Sequence, residues 1–291
     1  MSRIHDALKK AELEQSSYPV DGAGIAATRF AEVEEAGISP IVSTMPPPAL
    51  SFTFETLLDR CPAGRWSPDR TTMLFFDQKE TLALETFRTL RSRLFMIREK
   101  TPLKKIMVTS SMGDEGKSFV AANLAQVLVQ QHGQRVLLID ADLRRPQLHS
   151  ALGTSATPGL SDYLMGTSEE LAVLQRGPLE NLFFLPAGTA VANPLELIAD
   201  NRLTLLLNRM EQLFDWIILD SSPAIQVSDA GQIANSCDGV LLVVRSNATP
   251  FDLAQRARDE FYRKKIVGVV LNGVDANSVS PVYNRDSPGR S

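Results

Sequence analysis

Apolar residues along this chain fall into two kinds of run. Ile106-Met107-Val108, Val136 to Ile139, Leu182 to Leu185, Ile217-Ile218-Leu219, Val240 to Val244 and Val267 to Leu271 are short and rich in β-branched residues, as strands buried on both faces are. Between them lie helix-like stretches such as Phe119 to Gln131, closed by Gly133, and Pro194 to Leu213. Strand alternating with helix predicts an α/β fold: a doubly wound, mostly parallel sheet with its ligand crevice at the carboxyl ends of the strands.

Upstream the pattern changes twice. Ile4, Ala7, Leu8 and Ala11 recur at helical spacing with Lys9, Lys10, Glu12 and Glu14 elsewhere on the wheel, which predicts a short amphipathic helix. From about Ser16 to Asp69 the chain is rich in Ala, Gly, Pro and Ser, includes Pro46-Pro47-Pro48 and keeps no apolar period. Order resumes near Gln78, where Ala83, Phe87, Leu90, Leu94 and Ile97 step by four and three and leave Glu85, Arg88 and Arg91 for another surface. The expected organisation is a helix over 1–16, a flexible linker over 17–77, the α/β domain over 78–276 and a disordered tail over 277–291.

Composition narrows the partners. A net charge of −4 and a pI near 5.5 argue against sequence-independent binding to nucleic acid or anionic lipid. The apolar runs are far shorter than the ~20 residues needed to span a bilayer, so no direct membrane span is expected. Met1 to Asp6 shows no secretory pattern, which places the chain in the cytoplasm. Cys61 and Cys237 lack metal or redox spacing and read as structural. His5, His132 and His149 likewise sit at no metal-ligand spacing.

The candidate chemistry comes directly after the first strand. Ser110-Ser111-Met112-Gly113-Asp114-Glu115-Gly116-Lys117-Ser118 opens directly into a helix, which is the setting of a P-loop. Gly113, Asp114, Glu115, Gly116 and Phe119 then belong to the segment that cradles phosphate oxygens, with Lys117 neutralising β/γ charge and Ser118 offering a hydroxyl to Mg²⁺. Ser111 stands where the usual pattern has its first glycine. Two strands end in acids, Asp140-Ala141-Asp142 and Asp220, and carboxylates converging on a triphosphate are tolerable only beside a divalent cation. ATP and Mg²⁺ are therefore the expected cofactors of a P-loop NTPase.

At this point the sequence resembles the bacterial tyrosine kinases of capsule and exopolysaccharide synthesis, built on the same P-loop branch as cell-division and partition ATPases. The resemblance rests on Glu115-Gly116-Lys117-Ser118, on Asp140-Ala141-Asp142-Leu143-Arg144-Arg145-Pro146 with His149, and on Gly159-Leu160-Ser161-Asp162-Tyr163-Leu164. Pro186-Ala187-Gly188, Asn193-Pro194-Leu195-Glu196-Leu197 and Phe214 to Asp220 add to it, and it runs from about Thr81 to Asn277. Arg144-Arg145-Pro146 is the specific part, since partition ATPases share the two aspartates but usually lack that tripeptide, and Met112 stands where they carry a signature lysine.

The resemblance implies a protein-tyrosine autokinase regulating polysaccharide synthesis or export. Lys117 and Ser118 hold phosphate and Mg²⁺, Asp140 and Asp142 divide metal binding and activation of the tyrosine hydroxyl, Asp220 completes the Mg²⁺ shell, and Asn272 meets adenine. Glu85, Arg88 and Arg91 resemble the helix motif through which such kinases assemble into homo-oligomeric rings. A separate membrane polysaccharide co-polymerase is the implied activator, recruiting the chain to the inner face of the membrane. The tail departs from the pattern: it holds Tyr283 alone where the family has a tyrosine cluster, with Tyr262 or Tyr163 as other acceptors, and Ser221-Ser222-Pro223 replaces Thr-Pro-Pro. An ATP-dependent interaction protein without kinase activity, or a positioning ATPase, are the competing expectations.

Overall fold

The computed structural model describes residues 53–61, 63–69, 72–74, 82–261 and 266–274. The segment at Ile4 to Ala11, the tail with Tyr283, and Tyr262 lie outside the described residues.

Helices α1 (Phe54–Arg60) and α2 (Leu82–Arg98) precede β1 (Lys105–Ser110), α3 (Lys117–Val129), β2 (Val136–Asp140), α4 (Leu148–Leu152) and α5 (Leu160–Met165). Then come β3 (Gln175–Arg176), β4 (Leu182–Leu185), α6 (Pro194–Ala199), α7 (Arg202–Met210), β5 (Trp216–Asp220), α8 (Asp229–Asn235), β6 (Gly239–Arg245), α9 (Phe251–Glu260) and β7 (Ile266–Asn272). The strands form one sheet in the order β3-β4-β2-β5-β1-β6-β7, parallel except for β3. The chain leaves β1 toward β2 on one side and β5 toward β6 on the other, so a crevice opens where the two connections diverge.

Why the strands lie centrally is visible in their residues. β1, β2 and β5 are buried along their whole length, and alternate side chains enter different cores. Met107, Leu137, Ile139, Ile217 and Leu219 join α1 and α5 to α9 on one face; Ile106, Val108, Leu138 and Ile218 join α2, α3 and α4 on the other. α3 is buried continuously from Val120 to Leu128, and its alanines let it lie close against the sheet. The expected α/β doubly wound architecture is the one formed.

Two expectations need correction. Residues 53–61, assigned to the linker, build α1: Phe54, Leu57, Leu58 and Cys61 recur at helical spacing, Thr53 caps the first turn by accepting from the Thr56 N–H, and Phe54 meets Phe183 and Phe214 edge-on at 5.8 and 5.9 Å. Trp66 and Met73 also pack on the domain, so apolar burial continues through part of the Pro-rich stretch. Pro194 to Leu213 is two helices, because the chain turns extended at Asp200 beside Asn201, residues that compete for backbone hydrogen bonds. Neither cysteine is in a disulfide; Cys61 is buried and Cys237 partly so.

Candidate functional site

The loop between β1 and α3 is shaped by its own side chains and by the neighbouring sheet edge. Glu115 folds back into the loop, where its Oε2 accepts from the Met112 N–H at 2.9 Å and its Oε1 meets the Thr249 hydroxyl. Asn272 Nδ2 donates to the Glu115 carbonyl at 2.9 Å, and Arg245 Nη1 to the Asp114 carbonyl at 2.8 Å. Thr249, Arg245 and Asn272 come from the carboxyl ends of β6 and β7, so that edge braces the P-loop. Gly116 adopts φ 92°, and a Cβ there would stand 2.0 Å from Asn272 Nδ2, so only glycine fits.

The Glu115 carboxylate is therefore engaged within the loop itself. The Phe119 ring packs edge-on to Phe87 at 5.8 Å, in the core beneath α2. Asn272 lies against the loop, with its amide N–H₂ engaged by the Glu115 carbonyl. None of these three braces from the sheet edge was expected from the sequence, because the partners lie 131, 134 and 157 residues apart.

Lys117 and the strand-end acids do converge. Lys117 Nζ lies 2.8 Å from Asp142 Oδ2, 3.8 Å from Asp220 Oδ1 and 3.3 Å from Ser118 Oγ. Burial works against the lysine's charge, but Asp220 and Asp142 outweigh it and raise its pKa. Burial also pushes the Asp220 carboxyl up to about 6, against the pull of Lys117. The Ser118 hydroxyl is nearby without reaching full hydrogen-bonding geometry, and both Asp220 oxygens are buried with no hydrogen-bond partner among the described residues.

Asp140 differs from its neighbours. Its Oδ2 accepts from the Leu148 N–H at 3.1 Å and its Oδ1 from the Asp142 N–H at 3.3 Å, so it fixes the loop and the start of α4. Burial, then Asp220, raise its pKa well above the carboxylate range. Asp142 Oδ1 accepts from the Arg145 N–H at 3.2 Å, which leaves Oδ2 to Lys117.

The remaining motifs take their places around this centre. Arg144 forms a two-bond fork with Asp229 at the start of α8, Nε to Oδ2 at 2.6 Å and Nη2 to Oδ1 at 3.0 Å. Asp229, almost fully buried, was missed in the sequence; its signal is an acid at a helix start nine residues after Asp220. Gly159 and Pro186-Ala187-Gly188 are one packing unit, since a Cβ on Gly159 would stand 2.3 Å from the Pro186 carbonyl. Burial disfavours the Asp162 charge there, but bonds from Thr189 and Gly159 hold its pKa low. Tyr163 is buried with its hydroxyl 3.3 Å from Glu170, and burial raises its pKa. It is therefore a poor acceptor in the folded chain.

The expected assembly residues lie on α2, and the structure engages them locally. Glu85 and Arg88 pair with each other, and Arg91 Nη1 donates to the Val127 carbonyl of α3 at 3.0 Å. No helix among the described residues is long and apolar enough to cross a membrane.

Comparison with known proteins agrees with this geometry. The model of the CobQ/CobB/MinD/ParA nucleotide binding domain matches residues 106–285. Tyrosine-protein kinase YwqD of Bacillus subtilis (strain 168) is 33% identical over 212 residues, covering 72% of this chain and 89% of that protein. Tyrosine-protein kinase etk of Escherichia coli (strain K12) is 35% identical over 204 residues, 69% of this chain and 28% of etk, so the chain spans little more than a quarter of that relative. Among solved structures, the kinase domain of Escherichia coli tyrosine kinase ETK superposes with a TM-score of 0.62 at 33% identity, covering 72% of this chain and 79% of that one. The chimerical protein CapA2B2 gives 0.66 at 27%, covering 75% and 98%.

Proposed function

The chain belongs to the CobQ/CobB/MinD/ParA nucleotide-binding family, in its bacterial tyrosine-kinase branch, and from that premise we propose that it is an ATP- and Mg²⁺-dependent protein-tyrosine autokinase of a capsule or exopolysaccharide system. The observation that carries this reading is Lys117, held at the head of a buried helix between Asp142 and Asp220, beneath a loop whose backbone is braced open.

The donor set fits Mg²⁺. Asp220 presents two buried oxygens without hydrogen-bond partners, Ser118 stands beside Lys117, and no group of three or more acidic, His or Cys side chains forms a metal cage by itself, all among the described residues. Mg²⁺ is characteristically held by one or two carboxylates together with nucleotide phosphates. Ser118, Asp142 and Asp220 are the residues that would hold it, and bound there it neutralises charge on the transferring phosphoryl group.

The protein's own part is positioning. Lys117 releases Asp142 and turns to the phosphates, and the freed Asp142 Oδ2 shares with Asp140 the two tasks of holding Mg²⁺ and accepting the proton of an incoming tyrosine hydroxyl. Asp140, whose two oxygens already take backbone N–H groups, shapes the loop and is the weaker candidate for the base. Asn272 joins the nucleotide's base end to the P-loop. Tyr283 is the proposed acceptor, delivered to a neighbouring copy in a ring that Glu85, Arg88 and Arg91 help to build. Activation and membrane recruitment by a separate polysaccharide co-polymerase complete the proposal.

One observation favours a second reading. With Tyr283 the only tyrosine after residue 276, an interaction ATPase that never phosphorylates itself is the competitor. Incubation with labelled ATP and Mg²⁺, then phosphotyrosine mapping, separates the two. Label on tyrosine, absent from Lys117→Met and Asp142→Asn, supports the kinase; ATP binding and turnover without label supports the competitor.

A further inference from the structure

Arg144-Arg145-Pro146 is the most distinctive stretch of the sequence, yet the chemistry above gives it nothing to do. Its setting supplies a task. β2 and β5 are paired up to Asp140 opposite Asp220, and the Ala141 N–H donates to the Asp220 carbonyl at 2.8 Å. Beyond that bond the two chains diverge into separate loops, one carrying Asp142 and the other running from Ser221 to Ser228.

Asp140, Asp142 and Asp220 are buried like charges, and they repel one another. The side chain that bridges the two loops inside the site is Lys117, which touches Asp142 and approaches Asp220. A lysine in a P-loop serves phosphate, so this bridge is given up when nucleotide binds. Arg144 is the second bridge. It lies two residues beyond Asp142, and its fork grips the residue that ends the loop begun at Asp220.

The geometry points to Arg144 and Asp229 as a positioning pair that keeps Asp142 and Asp220 convergent on Mg²⁺ once Lys117 has moved to the nucleotide. This inference rests on the nucleotide-binding reading of the site. A planar guanidinium suits the task, because its two parallel bonds fix orientation as well as distance, which an ammonium does not. The Arg144 side chain is 40% exposed while Asp229 is 2% exposed, so the pair sits at the rim of the site rather than in the core. Only the arginine reaches solvent, so removing it leaves Asp229 a buried acid without its fork, whereas Asp229→Asn removes the charge and keeps the shape. Arg144 touches no reacting atom in this scheme and acts through Asp142.

The test uses the full chain and a fluorescent ADP analogue. Its affinity is measured in excess EDTA, where the backbone cradle and Lys117 act alone, and the Mg²⁺ concentration for half-maximal enhancement is measured separately. Arg144→Met and the isosteric Asp229→Asn are each expected to raise that Mg²⁺ concentration about tenfold, the usual scale for residues that orient metal ligands. Affinity in EDTA is expected to stay within about twofold, and Arg144→Lys to fall between wild type and Arg144→Met. Circular dichroism identifies any variant that has lost its fold, and Asp229→Asn then carries the test alone. An unchanged Mg²⁺ requirement overturns the pairing, as does an equal loss in EDTA, which marks a purely structural contact. Wild type that fails to bind the analogue at all overturns the nucleotide reading itself, a result distinct from either.

Discussion

Replacing Asp220 by asparagine is expected to make the protein more stable while impairing its function. The carboxyl is fully buried, lacks hydrogen-bond partners among the described residues and is pushed by burial from an ordinary 3.8 to about 6. That displacement of about two units corresponds to about 3 kcal/mol between the two protonation states. An acid whose pKa folding has raised holds its proton more tightly in the folded chain. Stability therefore falls as pH rises from about 4 to about 6 and falls no further above that. Asparagine removes the charge and keeps the shape. The pull of Lys117 is already contained in that net displacement, so an increase of up to about 3 kcal/mol is expected near pH 7.5, with little change near pH 4. Urea unfolding in EDTA without nucleotide, followed by the fluorescence of Trp216 on β5, measures both ends of the range. The same variant should lose most of the stabilisation that Mg²⁺ and ADP give wild type. A variant less stable than wild type near pH 7.5, or one retaining the full pH slope between about 4 and 6, refutes the reasoning.

Other outcomes are expected from the same contacts. Lys117→Met is expected to abolish ATP turnover with circular dichroism unchanged, and to lower stability in EDTA by about 1–3 kcal/mol because Asp142 Oδ2 loses its partner; turnover equal to wild type removes the P-loop assignment. Phe54→Ala is expected to cost about 3–5 kcal/mol in urea unfolding, since the ring is buried between Phe183 and Phe214, whereas a loss under about 1 kcal/mol means α1 is not part of the core. Tyr283→Phe should remove most phosphotyrosine label, and full labelling of that variant transfers the acceptor role to another tyrosine.

How far the sequence could be read depended on how local each signal was. The P-loop, Asp140, Asp142 and Asp220 were legible because a parallel strand is an unbroken apolar run and its polar successor falls in the crevice. α1 escaped because two helical turns between Pro-rich flanks give too short a period, although Phe54, Leu57 and Cys61 carried it. Asp229 escaped for another reason: its partner Arg144 is 85 residues away, and no local pattern announces a pairing made across two loops. Glu115 was expected in a phosphate cradle, and its carboxylate serves the loop itself through Met112 and Thr249. The sequence order of Glu85, Arg88 and Arg91 suggested one outward surface, while the fold turns Arg91 onto the end of α3.

The burial of α3 also bears on movement. Because the helix is enclosed from Val120 to Leu128, Lys117 at its head cannot change partner by sliding or tilting its support. On the proposed reading, the exchange of carboxylate for phosphate is a rotation about the lysine's own side-chain bonds rather than a movement of its helix. The proposed cycle then asks no movement of this helix, and the slower rearrangements it needs fall to the approach of the acceptor and to the segment from Ser221 to Ser228 that Arg144 holds by its far end.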